Sequence, residues 1–139
     1  MNAVNTPQLP LTHTLRQYID DLDRHRHHIE AALEYAQHSH TFDDIVAMVM
    51  HGHLRLWSLP NSVMLTEVIT YPRYKTYHVF LGGGDLQEIL DMHPQVEQAA
   101  REAGCSKLSV TGRHGWKKAL QAHGWVPAHI TCTKELRNE

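Results

Sequence analysis

Residues 77–90 read YHVFLGGGDLQEIL, and with residues 99–110, AAREAGCSKLSV, and 112–125, GRHGWKKALQAHGW, they decide how this chain folds. The run from Tyr74 to Leu81 is rich in β-branched and aromatic residues, which suits a pleated strand. Gly82, Gly83 and Gly84 are expected to break that strand in a tight turn, since glycine reaches backbone conformations closed to other residues. Asp85 is placed to begin a short helix, Leu86 to Met92. Pro94 suits the first turn of the next helix, carried by Val96, Ala99, Ala100 and Ala103, with Gly104 just past its end. Lys107 to Thr111 then reads as a strand, Gly115 to His123 as a short helix closed by Gly124, and Ile130 to Lys134 as a final alternating strand.

Upstream, the period is helical. Leu15, Tyr18, Ile19, Leu22, Ile29, Ala32, Leu33 and Ala36 recur at helix spacing between Thr12 and Gln37, as one long helix or two short ones around the polar stretch Arg24 to His28. Thr41, with Asp44 three residues on, caps a further helix whose apolar face is Phe42, Ile45, Val46, Val49 and Met50, ended by Gly52. The period then switches to that of strands: Leu54 to Leu59, a turn at Pro60-Asn61, and Val63 to Tyr71, which pairs with Tyr74 to Leu81 as an antiparallel hairpin. Residues 1–11, polar and carrying Pro7 and Pro10, read as a flexible lead-in, and residues 12–139 as a single domain. Helices and strands mixed in this order predict an α/β fold in which helices flank one sheet.

Composition bounds the function classes. The 139 residues are 42% hydrophobic and 20% charged with a formal net charge of −2, so no chain-wide charge draws the protein to nucleic acid or an anionic membrane. Two cysteines, Cys105 and Cys132, form no disulfide framework, and no signal-type start or run of about 18 apolar residues is present. A cytoplasmic location is the expectation. Thirteen histidines make the net charge soft near neutrality.

From Tyr77 onward the chain resembles the GNAT superfamily of N-acyltransferases. The resemblance rests on a strand leading through glycines into a helix, A-x-x-x-G at Ala100 to Gly104, the apolar strand Lys107 to Val110, and the closing Gly124-Trp125. It covers about the last 60 residues. It implies a mixed, mostly antiparallel sheet in which Tyr74–Leu81 runs parallel to Lys107–Thr111, and acetyl-CoA as the acyl donor. Val79, Phe80 and Leu81 would lie along the pantetheine arm, and Gly82, Gly83, Gly84, Asp85 and Leu86 at the pyrophosphate, where backbone N–H groups at a helix start can meet an anion. Two positions depart from the family's pattern. Asp85 follows the glycines where the family loop carries a basic or Gln side chain before them, and Leu120 stands where many members carry a Tyr that protonates the departing thiolate. The strings GGGDLQEIL and GCSKLSVTGRHGWKKAL are also similar to short GNAT-like proteins of tailed phages and prophages, which implies either an acyltransferase with a degenerate site or a virion-associated or assembly protein that keeps the fold as a binding scaffold. The implied partner is then an unidentified acceptor amine or a virion protein.

Glu67 is the candidate general base, on the alternating face of Val63, Leu65 and Ile69. His78 reads as a satisfied sheet histidine, Arg113 and His114 as loop residues, Cys105 as structural, and Trp116 and Trp125 as packing for the last helix. The groups His25/His27/His28, His38/His40 and His51/His53 lack the accompanying motifs of a zinc site and read as solvated faces, so no metal is expected.

Overall fold

The computed structural model describes residues 14–112 and 114–136. The lead-in over residues 1–11 and Arg113 therefore lie outside the described residues. Thr14 opens α1 (Leu15–Arg24) with a capping box closed by Gln17. The first helical stretch is two helices: α1 stops at His25 and α2 (Arg26–Tyr35) begins directly after it. Thr41 and Asp44 form the expected capping box of α3 (Phe42–Met50), whose hydrogen bonds hold the Asp44 carboxyl below its usual pKa.

Four strands make one sheet in the order β1 (Arg55–Ser58), β2 (Ser62–Thr70), β3 (Lys75–Gly84), β4 (Lys107–Val110). The first two junctions are antiparallel and β3 with β4 is parallel, as the resemblance implied. The connection from β3 to β4 runs through α4 (Leu86–Asp91) and α5 (His93–Glu102), and α6 (His114–Gln121) follows β4. Pro94 sits in the first turn of α5 and Gly104, at φ +79°, just past its end, both where the sequence put them.

Helices cover both faces of the sheet. On one, Leu56, Val63, Leu65 and Leu81 pack against Tyr18, Leu22, Ile29, Leu33, Ile45 and Val49 of α1 to α3. On the other, Trp57, Met64, Val68, Tyr77 and Val79 pack against Val96, Ala99 and Ala100 of α5. Each fully buried Leu or Ile contributes about 1.5–3 kcal/mol, so both layers hold the sheet. In the α5-side layer Trp57 Nε1 donates to Thr66 Oγ1 at 2.9 Å, and Thr66 Oγ1 lies 3.1 Å from the Tyr77 hydroxyl, a buried polar link among apolar side chains.

Two expectations are corrected. Gly82, Gly83 and Gly84 do not break the strand; they pair with Met64, Val63 and Ser62 as its last residues. The reason is room: a Cβ on Gly83 would lie 2.9 Å from the His28 carbonyl oxygen, so glycine lets α2 rest on the sheet. The second correction is at the end of the chain, where Ile130 to Lys134 forms no strand. Val126 and Ile130 are 80% and 86% exposed, so alternation there meets no sheet neighbour to bury it.

Candidate functional site

The site follows from where β3 and β4 part. Their ladder runs from Thr76/Lys107 to Val79/Val110, and β3 then continues to Gly84 with no β4 partner among the described residues. A bulge lies at the same level: Thr66 pairs with Val79 and Leu65 with Leu81, leaving Phe80 as the extra residue. The bulge turns Leu81 to the α1–α3 layer, where Phe80 also packs. On the other face the parting holds the Trp116 indole. A Cβ on Gly82 would lie 3.0 Å from Trp116 Cη2, and one on Gly112 2.9 Å from Cε3, so the ring is seated between glycines of the two chain segments. Trp116 packs α6 onto the sheet, as its sequence position suggests, and no sequence signal marks its seat between Gly82 and Gly112.

Behind the indole is an apolar cavity of about 40 Å³, lined among others by Val79, Ile89, Val96, Val110, Leu120 and Trp125. Trp125, one of the lining residues, donates from Nε1 to His93 Nε2 at 3.0 Å. Ligand pockets run to about 300–1,000 Å³, so a pantetheine arm would enter here only with Trp116 displaced. The glycine turn offers less. The Asp85 carboxylate caps α4 by accepting from the N–H of Gln87 (3.0 Å) and Glu88 (3.4 Å), the donors that would face a phosphate. α4 is anchored besides, because Glu88 Oε1 accepts from Asn61 N at 2.9 Å and from the Ser62 hydroxyl. The residues present thus suit the pantetheine half of acetyl-CoA, through the edge of β3 from Phe80 and the apolar wall, and as folded do not suit the diphosphate half.

Replacing Asp85 by Ala is expected to cost about 1 kcal/mol by removing the cap while freeing two N–H groups; urea unfolding measures the loss.

The opposite face carries a polar row. Glu67 of β2 stands directly across from His78 of β3, and His78 directly across from Ser109 of β4, all three half-buried. His78 Nδ1 lies 2.8 Å from Ser109 Oγ, and burial pushes the imidazole below its usual pKa, so it is neutral at pH 7. The satisfied sheet histidine expected from sequence is therefore present, with its partner named. Glu67 keeps the face predicted for it, beside His78. Leu120 lines the apolar cavity and has no proton to give.

The remaining candidates lie elsewhere. Among the described residues no three His, Cys, Asp or Glu side chains are grouped to hold a metal. Cys105 is half-buried and burial raises its thiol pKa against the pull of Lys75, the state of an unreactive thiol. His25 does not lie on a solvated face: it is 2% exposed, at the joint of α1 and α2, with Nε2 3.1 Å from Ser58 Oγ, which also accepts from Arg24 Nη2 at 2.7 Å. Burial lowers the pKa of His25, His28 and His78, with Arg24 and the neighbouring histidines adding to the shift at His25. The unfolded chain, with histidines near 6.5, then takes up protons before the folded one. Their contribution to stability is complete above about pH 6.5 and is lost as pH falls through the lower folded values. Urea midpoints that decline from about pH 7 to about pH 5 are the expected result; a flat profile contradicts it.

No protein-family profile matches the chain, and no curated protein matches it. Two solved structures share its fold. A possible acetyltransferase from Clostridium difficile 630 superposes with a TM-score of 0.59 at 7% identity, covering 87% of this chain and 94% of that one. A point mutant of TTHA1254 from Thermus thermophilus superposes with a TM-score of 0.52 at 16% identity, covering 72% and 82%. No helix among the described residues is long and apolar enough to cross a membrane. Among the described residues the chain is an α/β domain with a four-stranded mixed sheet between helices, and it shares its fold with a possible acetyltransferase.

Proposed function

We propose that this chain is an N-acyltransferase that takes an acyl thioester of the acetyl-CoA type into the parting of β3 and β4 and passes the acyl group to an amine. The observation that carries the reading is the parting itself, because the released edge of β3 has an apolar cleft on one face, and the Glu67–His78–Ser109 row lies on the opposite face of the paired strands just before it. The thioester supplies an activated acyl group. Phe80 and Leu81, on the released edge next to Val79, offer main-chain groups to the amides of the pantetheine arm. Glu67 is the carboxylate that takes a proton from the amine, which must be neutral to attack. Leu120 gives the departing thiolate no proton, and such transfers contribute about a hundredfold to ten-thousandfold, so direct transfer to the amine is slow.

The test is amine-dependent thiol release from acetyl-CoA over a panel of primary amines. The expected result is turnover well below the median of about 10 per second, lowered further by Glu67→Gln. Turnover as fast as ordinary acetyltransferases would show that Leu120 does not mark a missing acid.

A second reading has the chain as a non-catalytic scaffold, in the virion or its assembly, and in the host cytoplasm if phage-encoded. It is favoured by Trp116 filling the parting and Asp85 occupying the donors of α4. The readings separate in a thermal shift, since a ligand at about 100 times its Kd stabilises by about 2.7 kcal/mol. The scaffold shows no shift with acetyl-CoA.

A further inference from the structure

We propose that Ser109 is an acylatable nucleophile activated by His78, and that the acyl group passes through an ester on Ser109 Oγ. The proposal rests on the acyltransferase reading only for the identity of the donor. Its own basis is geometric: Nδ1 and Oγ are 2.8 Å apart, within the reach of a base on its nucleophile. The pair lies one register step before Val79/Val110, the last pair ahead of the parting, so the hydroxyl stands beside the place where β3 loses its neighbour. Ser109 is also on the edge strand of the sheet among the described residues, and both side chains are half-buried, so the pair is reachable and partly shielded from water. The lowered pKa of His78 supplies the neutral imidazole a base requires.

In the first step Ser109 Oγ attacks the acyl carbonyl and its proton moves to His78 Nδ1. The C–S bond breaks, and the thiolate leaves with the proton that His78 has just gained. In the second step an amine attacks the ester carbonyl and gives its proton to His78. The C–O bond then breaks as that proton returns to Oγ, leaving an amide and the original serine. The imidazolium of the first step provides the acid that Leu120 lacks.

The experiment uses two probes separately, p-nitrophenyl acetate, a small activated ester that needs no CoA site, and acetyl-CoA. Intact-mass and peptide mapping read the ester, and phenolate release reads the burst. The expected result with the wild-type chain is one acetyl group on Ser109 and a burst of one phenolate per chain. His78→Gln slows acylation by about a hundredfold or more, and Ser109→Ala abolishes the burst. Ser109→Cys, which keeps a nucleophile in place, is acylated, and this guards against a Ser109→Ala variant that fails to fold. Acetyl groups found only on lysines or histidines, or an unchanged burst in a folded Ser109→Ala, would overturn the proposal and leave Ser109 as a hydroxyl that satisfies a sheet histidine. Acylation of Ser109 by p-nitrophenyl acetate but never by acetyl-CoA upholds the nucleophile and removes the CoA reading. Amine acetylation from acetyl-CoA undiminished in Ser109→Ala does the reverse.

Discussion

Trp116→Ala is expected to raise the affinity for acetyl-CoA by about tenfold or more while lowering stability by about 2–3 kcal/mol. The two effects have one cause. The indole is seated between Gly82 and Gly112, where the pantetheine arm would run, so wild-type binding must first move it. Apparent affinity is reduced by the fraction of chains in the open form, and each 1.4 kcal/mol needed to open costs about tenfold. Removing the ring abolishes that requirement. The stability loss is set below the ~3–5 kcal/mol of a fully buried Trp because Trp116 is only half-buried. Calorimetry with acetyl-CoA and urea unfolding measure the two sides. Weaker binding by the Ala variant would mean that the indole is a wall of the site and not its stopper.

The second large effect is at Gly84, for which Ala is expected to cost about 2–5 kcal/mol. Its φ of +102° is a conformation that side chains resist, a strain of about 1–3 kcal/mol. A Cβ there would also run into the Asn61 carbonyl oxygen and the backbone of Ser62, at 2.7 Å from its Cα, and overpacking adds about 1–3 kcal/mol. The cost cannot be relieved locally. Asp85 N donates to that same Asn61 carbonyl at 3.1 Å, so a shift of the strand end breaks the tie between the β1–β2 turn and the start of α4. Gly115→Ala is the control, being in α6 with nothing within 4 Å of its Cβ, and it is expected to be neutral or to gain up to about 1 kcal/mol. Urea unfolding of the two variants compares them directly. Equal stability would show that the Gly84 conformation is not enforced.

The sequence was legible where structure is local. Thr41 with Asp44, Asp85, Pro94 and Gly104 each fix a helix end through one or two nearby groups, and all four stand where their chemistry put them. The strand Lys107–Val110 and its parallel pairing came from the ordered string of motifs, not from periodicity, since a period of two gives no direction. What failed depends on distant neighbours. Three glycines in a row read as a turn because nothing in YHVFLGGGD says that the His28 carbonyl of α2 will press on Gly83. Ile130 to Lys134 alternates as a strand does, but alternation stabilises only against a neighbour. At the site, the alignment of Glu67 and His78 with Ser109 is a property of register across two strand pairs, which no residue type announces. Trp116 reads as packing from sequence, but nothing in the sequence says that it packs against Gly82 and Gly112.

Whether the parting of β3 and β4 receives an acyl thioester is measured by calorimetric titration of acetyl-CoA into the wild-type chain and into Trp116→Ala side by side. The expected result is one site per chain in both, about tenfold or more tighter in the Ala variant. Absence of binding heat in both, with Trp116→Ala shown to be folded, would contradict it.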